Sequence, residues 1–149
     1  MIRTATLEDF EIIVTMLDHY KVHSPLALHK NSNLDTARVM VKFILEQNRG
    51  IILLAEKDNK VIGMLIAIKN FNVWNQEAFC MNELAYWVEP EHRGGTAGYR
   101  LIKSYADICI HMKEQGEIEY FTISKMVTSP DLSYDKFGFS KLEETWSHQ

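Results

Sequence analysis

Residues 82–107, NELAYWVEPEHRGGTAGYRLIKSYAD, pass from a predicted strand through a glycine-rich turn into a predicted helix. The first part shows little polar alternation, as expected of a strand that is covered on both faces. Glu-Pro-Glu-His ends that strand. Arg93 follows, and three glycines come after it, at 94, 95 and 98, where the helix starts. Beyond residue 97 the apolar residues recur with helical spacing. The stretch therefore predicts a buried strand and an amphipathic helix joined by a tight turn.

Two interpretations of the glycine turn fit its local chemistry. A helix N-terminus carries unpaired N–H groups and a partial positive charge, and glycines let an anion approach them closely. Arg93 adds a bidentate phosphate donor, and His92, Arg100 and Lys103 are nearby in sequence. This interpretation favours a pyrophosphate site. In the other, the glycines serve only the turn and Arg93 is surface charge. Neither a Gly-Lys-Ser/Thr loop nor GxGxxG spacing is present.

The whole chain, residues 1–149, is predicted to be one α/β domain with the element order β-α-α-β-β-β-α-β-α-β. A meander followed by a βαβ crossover predicts a central mixed sheet with helices on both faces. Thr6 and Asp35 are the predicted caps of the first two helices. Loops are predicted at 21–33 and 69–77. The predicted strands are 2–6, 51–55, 61–68, about 79–89, 117–123 and 139–146, and the later helices are about 97–113 and 131–137.

Composition disfavours several classes of function. A net charge of −4 argues against generic nucleic-acid binding and suits a cationic acceptor. Cys80 and Cys109 form no CxxC pair, so we expect no disulfide scaffold and a cytoplasmic location. The N-terminus lacks the apolar region of a signal peptide. No apolar run approaches the roughly 18 residues of a membrane span.

The glycine turn resembles the acetyl-CoA signature of the GNAT acetyltransferase superfamily, R/Q-x-x-G-x-G/A. SYDKFGF at 133–139 is similar to the family's late Tyr-x-x-x-Gly-Phe element, and the element order matches over nearly the whole chain. The R-G-G-x-A-G variant after W-V-x-P-E also resembles acetyltransferases found in bacteriophage genomes. The residues that match the signature are Arg93, Gly94, Gly95, Thr96, Ala97 and Gly98.

This resemblance implies acetyl-CoA as the co-substrate and no metal. The fourth and fifth strands would splay apart, and the pantetheine arm would bond the backbone near Trp87 and Val88. The amides of residues 93–98 would hold the pyrophosphate, and Arg100 or Lys103 would reach the adenosine 3′-phosphate.

The sequence departs from the family pattern at two positions. Thr96 replaces the first signature glycine, and because threonine resists positive φ, the sharpest bend is expected at Gly94 or Gly95. The Thr96 hydroxyl then either caps the helix or bonds a phosphate oxygen. Val127 stands where many members carry an asparagine that contacts the cofactor. Either Thr128 or Ser129 substitutes for it, or the contact is absent.

The resemblance also implies roles in acetyl transfer. Glu83 is the expected general base acting through water, with Glu89 as the alternative, whereas the competing interpretation is a salt-bridged strand glutamate. Tyr134 is the expected general acid, because a phenol protonates a departing thiolate at little cost. Its competing interpretation is a core tyrosine. The oxyanion donor is expected to be a backbone N–H near Val88.

The expected activity is N-acetylation of a primary amine, on a small molecule or a protein. The alternatives are an inactive binding module of the same fold and a transferase of another acyl group. The short tail leaves a sheet edge that predicts a homodimer. Three further features are weaker candidates: His19 and His23 at i, i+4 as a metal pair without a third ligand, Trp74 and His29 as walls of the acceptor pocket, and the two cysteines as core residues.

Overall fold

In the computed structural model, which describes residues 1–130 and 132–149, one mixed sheet carries five strands in chain order. Neighbouring strands pair antiparallel, except that β4 and β5 are parallel. The predicted mixed sheet is thereby confirmed. The strands are β1 (Ile2–Thr4), β2 (Gly50–Lys57), β3 (Lys60–Asn72), β4 (Asn75–Val88) and β5 (Tyr120–Thr122).

Helices cover both faces of the sheet, as the sequence predicts. They are α1 (Phe10–Lys21), α2 (Ala27–Asn31), α3 (Asp35–Gln47) and α4 (Ala97–Glu114). On β3, Met64 and Ile66 belong to the core under α1 and α3, whereas Leu65 belongs to the core under α4. Because both faces are buried, the central strands show no polar alternation. No helix within the described ranges is long and apolar enough to cross a membrane.

A β-bulge interrupts the pairing of β4 with β3. Ile66 pairs with Ala85 and Ala67 pairs with Glu83, so Leu84 has no partner on β3. Met81 and Tyr86 both pack on the α4 side although they are an odd number of residues apart. Regular alternation would put them on opposite faces. The bulge therefore reverses the faces of the last residues of β4.

A notch opens between β4 and β5 beyond their short region of pairing. β5 pairs only with Cys80, Met81 and Asn82, whereas β4 continues to Val88. The Tyr105 hydroxyl of α4 donates to the Thr122 carbonyl at 2.9 Å, where the two strands part. Residues 83–88 thus leave one edge of β4 without a strand partner. The splay implied by the family resemblance is present.

The last predicted strand, 139–146, is wrong. The segment has no strand and lies exposed, with Leu142 at 76% and Trp146 at 87% exposure. Lys141, Glu143 and Glu144 place charges on both faces of any strand formed there, so neither face would tolerate burial. The tail instead reaches the segment after α1, where the Gln149 side chain accepts from the Ala27 N–H and donates to the Pro25 carbonyl.

Three other predicted elements need correction. The predicted loop 69–77 is wrong, because β3 and β4 run on to a two-residue turn at Val73 and Trp74. The predicted loop 21–33 contains the short α2. The predicted helix 131–137 is a 3-10 helix over Tyr134–Phe137 that ends at Gly138 with a φ of 89°. Its predicted start, Asp131, lies outside the described residues.

Candidate active site

A buried carboxylate lies in the notch. Glu83 is only 6% exposed, and its Oε2 accepts the Ser124 backbone N–H at 3.0 Å. The bulge at Leu84 follows it directly and sets its position on β4. Burial raises the pKa of Glu83 to about 7, and the hydrogen bond from Ser124 opposes part of that rise. The carboxylate therefore exchanges a proton near neutral pH.

Three phenols, one each from α1, β4 and α4, lie close enough to this carboxylate to be affected by its charge. The pKa of Tyr86 is raised by burial first and then by the neighbouring Tyr134. The pKa values of Tyr20 and Tyr105 are raised by burial and, to a smaller degree, by the charge of Glu83. Tyr86 thus lies close enough to both Tyr134 and Glu83 for each to raise its pKa. Tyr86 was missed by sequence reasoning, although its place two residues before Val88 was a usable signal.

The backbone groups along the end of β4 divide between β3 and the notch. The Glu89 N–H donates to the Ile62 carbonyl of β3 at 2.8 Å. Because directions alternate along a strand, Trp87 also faces β3, whereas Tyr86 and Val88 present their N–H and C=O groups to the notch. The Val88 carbonyl accepts from Arg93 Nε at 2.8 Å. The Trp87 backbone therefore does not reach the notch, and that of Val88 does.

The glycine turn bends where the sequence predicts. Gly94 has a φ of 86°, which only glycine adopts easily, so the expectation of a bend at Gly94 or Gly95 is confirmed. Thr96 has a φ of −97° and is the N-cap residue of α4. Its side chain makes no cap hydrogen bond. Of the two roles predicted for this hydroxyl, helix capping is wrong.

The first turn of α4 lies close to β4. A Cβ added to Gly98 would collide with the Tyr86 hydroxyl. Only a glycine at this position leaves room between the helix N-terminus and the phenol. The free N–H groups of the first helical turn therefore lie beside the notch, in a place where an anionic group fits.

A recess of about 460 Å³ lies on the β1–β2 side of the same turn. Thr96, Ala97 and Arg100 line it from α4, together with His92 of the turn and Lys57 of β2. Lys103 is less available to an anion, because its Nζ pairs with Asp107 at 2.8 Å. Of the two basic residues predicted to meet a phosphate, Arg100 is the better placed.

The other predicted candidates lie elsewhere. Trp74 is 93% exposed at the hairpin tip, roughly 25 to 30 Å along β4 from Glu83. His29 Nδ1 is 2.7 Å from the Ser24 hydroxyl. Val127 is 91% exposed, and the neighbouring Thr128 hydroxyl donates to the His23 carbonyl at 2.8 Å. The structure brings neither Trp74 nor Val127 to the notch.

His19 of α1 and His23, two residues beyond the end of α1, lie at the C-terminal end of β4. His19 Nδ1 is 2.8 Å from Glu89 Oε1, and the His23 ring lies 4.9 Å from the Trp87 ring, centroid to centroid. Among residues 1–130 and 132–149, no three side chains of His, Cys, Asp or Glu are grouped to hold a metal ion. Cys80 and Cys109 are buried, and burial raises the pKa of Cys109 to about 12.

Comparisons with known proteins agree with this geometry. The sequence matches the model of the acetyltransferase (GNAT) family over residues 15–139. No curated protein sequence matches at a significant level. A predicted acetyltransferase from Clostridium acetobutylicum, solved with acetyl-CoA, has a TM-score of 0.73 at 16% identity over 100% of this chain and 95% of its own.

Two further solved structures share the fold. A ribosomal-protein-alanine N-acetyltransferase from Brucella melitensis biovar Abortus has a TM-score of 0.63 at 14% identity, with 100% of this chain and 99% of that chain covered. An aminoglycoside acetyltransferase from an uncultured soil sample, in complex with sisomicin, has a TM-score of 0.68 at 14% identity, with 99% and 92% covered. At these identities the likeness extends to the fold alone.

Proposed function

Since the chain belongs to the GNAT acetyltransferase family, we propose that it transfers the acetyl group of acetyl-CoA to a primary amine by direct attack. The observation that carries this proposal is Glu83, a buried carboxylate that titrates near neutral pH in the notch between β4 and β5. A structural glutamate in a strand gains nothing from burial without a cationic partner. A general base gains a pKa close to the operating pH.

The cofactor would lie along the open edge of β4. The N–H groups of residues 93–98 would hold the pyrophosphate, with Gly98 giving it room beside Tyr86. Arg100 would pair with the 3′-phosphate from the recess on the other side of the turn. The backbone groups of Tyr86 and the Val88 N–H would bond the pantetheine and thioester end, a role that the orientation of Trp87 denies to its backbone.

The bound acetyl-CoA supplies an activated acetyl group, and the chain supplies two groups that transfer protons and one hydrogen-bond donor. Glu83 accepts the proton of the acceptor ammonium, directly or through a water, so that a neutral amine attacks the thioester carbon. The Val88 N–H donates to the oxygen that becomes negative. As the carbon–sulfur bond breaks, Tyr134 would give its proton to the leaving thiolate, at little cost because a phenol has a pKa of roughly 10 and a thiol one of roughly 8.5. The second proton of the attacking nitrogen would then return to the Tyr134 phenolate, so that the phenol is restored.

Glu89 is the weaker choice of base. Its carboxylate already pairs with His19, and its backbone N–H bonds β3 beyond the end of the notch. Among the described residues no cationic side chain pairs with Glu83, and its charge acts on Tyr86. We therefore assign the base to Glu83.

Amine-dependent release of CoA tests the proposal. Glu83→Gln and Tyr134→Phe are each expected to lower turnover by about 10²- to 10⁴-fold while acetyl-CoA still raises the melting temperature. Glu114→Gln on the exposed end of α4 and Tyr120→Phe on β5 are matched controls that keep full turnover.

Each alternative function predicts a different result. Acetyl-CoA binding without turnover on any amine would favour the inactive binding module. Faster turnover with a longer acyl-CoA than with acetyl-CoA would identify another acyl group as the substrate. Full turnover in Glu83→Gln would remove the assigned base.

A further inference from the structure

The indole N–H of Trp87 is a buried hydrogen-bond donor without an acceptor among the described residues. The residue is 5% exposed. Buried indole N–H groups almost always find an acceptor. Its ring lies against the Arg93 guanidinium at 4.4 Å and the His23 ring at 4.9 Å, and meets the Tyr20 ring edge-on at 6.2 Å. We call this group of four residues the donor corner.

The donor corner offers hydrogen-bond donors and positive charge. Arg93 uses Nε for the Val88 carbonyl, and no carboxylate of the described chain pairs with its two terminal nitrogens. The acidic side chain nearest in sequence, Glu89, is engaged by His19. A ligand that satisfies both Trp87 and Arg93 must bring an acceptor oxygen, and an anionic oxygen fits best.

Most of the donor corner is on the α1–α3 side of the sheet, although Arg93 also lines the recess beside the glycine turn. Trp87 belongs to the core under α1 and α3, whereas the glycine turn leads into α4 on the other face. Tyr20 joins the donor corner to the notch, because it touches the Trp87 ring and lies close enough to Glu83 to be affected by its charge. A second substrate that extends along the end of β4 from the donor corner into the notch would therefore come close to Glu83 as well.

Resting on the proposed function, we propose that the donor corner binds a carboxylate of the acceptor, remote from the amine that is acetylated. Three residues of β4, one of them the bulge, lie between Glu83 and Trp87, which corresponds to roughly 10 to 13 Å between their Cα atoms. An extended peptide spans about 3.5 Å per residue. The expected acceptor class is thus a short peptide-like amine with a free carboxylate, and a polycation is disfavoured by Arg93.

The test compares glycine, glycylglycine and triglycine with the corresponding amides, which lack the negative charge. Binding to the CoA-saturated protein is read from the rise in melting temperature, so that no turnover is needed. We expect the acid to bind at least tenfold more tightly than the amide at one of the longer lengths. Trp87→Phe, which keeps the ring and removes the N–H, should reduce that preference to threefold or less.

Trp74→Phe is the matched control, since it removes an indole N–H at the exposed hairpin tip and should leave the preference unchanged. His23→Ala should also weaken the preference. Equal binding of acid and amide by the wild type at every length would overturn the proposal. So would a preference that Trp87→Phe leaves intact.

The same experiment separates this proposal from the proposed function. A carboxylate preference that depends on Trp87, without CoA release from acetyl-CoA, keeps the donor corner and rejects the transferase. CoA release that is indifferent to the carboxylate keeps the transferase and rejects the donor corner. Better binding of an aminoglycoside than of any peptide acid would also reject it.

Discussion

The burial of Glu83 raises its pKa, so a reaction that uses this carboxylate as its base should depend on pH near neutrality. Its pKa of about 7 means that the carboxylate loses its proton across the neutral range. If it is the base, kcat/KM rises with pH up to about 7 and then levels until another group titrates. A pH–rate profile of the wild type checks this limb. In Glu83→Asp, whose shorter side chain is more hydrated, the limb should move to lower pH, and a limb that stays in place would point to another group.

Gly98 is a second residue whose role is set by space. An alanine here would push its Cβ into the Tyr86 hydroxyl, so the ring or the helix start must move. We expect Gly98→Ala to change stability by no more than about 1 kcal/mol, since the end of the Tyr86 side chain can turn away and alanine favours the helix, and to weaken acetyl-CoA binding. Urea unfolding measures the first effect. At Gly95 the nearest atom to an added Cβ is the His92 carbonyl oxygen at 3.8 Å, so Gly95→Ala should keep its stability.

Individual site residues were predictable where a residue type carries the chemistry. The bend of the glycine turn was predicted from its residues and is confirmed, whereas the catalytic roles of Glu83 and Tyr134, which follow from their motifs, stay predictions. The role of Tyr86 and the orientation of the Trp87 backbone were not predictable, because both depend on which hydrogen bonds alternate along β4. A sequence pattern records which side chains are apolar, and does not record the direction of each carbonyl.

At the scale of elements, one hydroxyl of α4 forms a hydrogen bond at the point where β4 and β5 separate. Tyr105 is fully buried, and its hydroxyl donates to the Thr122 carbonyl. Tyr105→Phe removes the donor and leaves that carbonyl without its bond, which should cost about 1 to 2 kcal/mol. Hydrogen exchange should accelerate at β5 and stay unchanged at the pairing of β2 with β3. Uniform acceleration over the sheet would mean that the hydroxyl has no local role.

Element types were predicted better than element ends. The apolar stripe of α4 and the turn at Asp58 and Asn59, which have φ values of 52° and 63°, follow from spacing and turn chemistry. The prediction ended β3 too early and began β4 too late because residues 69–77 are largely polar, although backbone pairing continues through them. The opposite error occurred at 139–146, where charged side chains on both faces of the segment keep its β-forming residues out of the sheet.

For the whole molecule, two carboxyl groups oppose each other in the pH dependence of stability. Arg3 hydrogen-bonds Asp9 and holds its pKa at about 2, so this stabilisation is lost as pH falls from about 4 towards 2. Glu83 behaves in the opposite way, because its raised pKa makes the folded state less stable as pH rises from about 4.5 to 7. That rise costs up to about 3 kcal/mol.

Stability to urea should therefore be higher at pH 5 than at pH 8. Glu83→Gln is expected to be more stable than the wild type at pH 8 and similar to it at pH 5. Asp9→Asn should lower stability at pH 5 and lose that effect near pH 2. If Glu83→Gln destabilises the protein equally at both pH values, the carboxyl is not titrating as a buried acid.

The bulge at Leu84 adds one residue to β4 without changing the pairing of the strand on either side of it. Deleting the codon for that residue would let Glu83 and Ala85 pair with Ala67 and Ile66 as consecutive residues, so the four residues after the deletion would keep their faces. The bend and the extra twist that the bulge adds between Glu83 and Trp87 would be lost, so the carboxylate would shift relative to both substrate sites. Length at this point is consequently under tighter constraint than residue identity, and homologues should vary the amino acid at position 84 far more freely than they omit it.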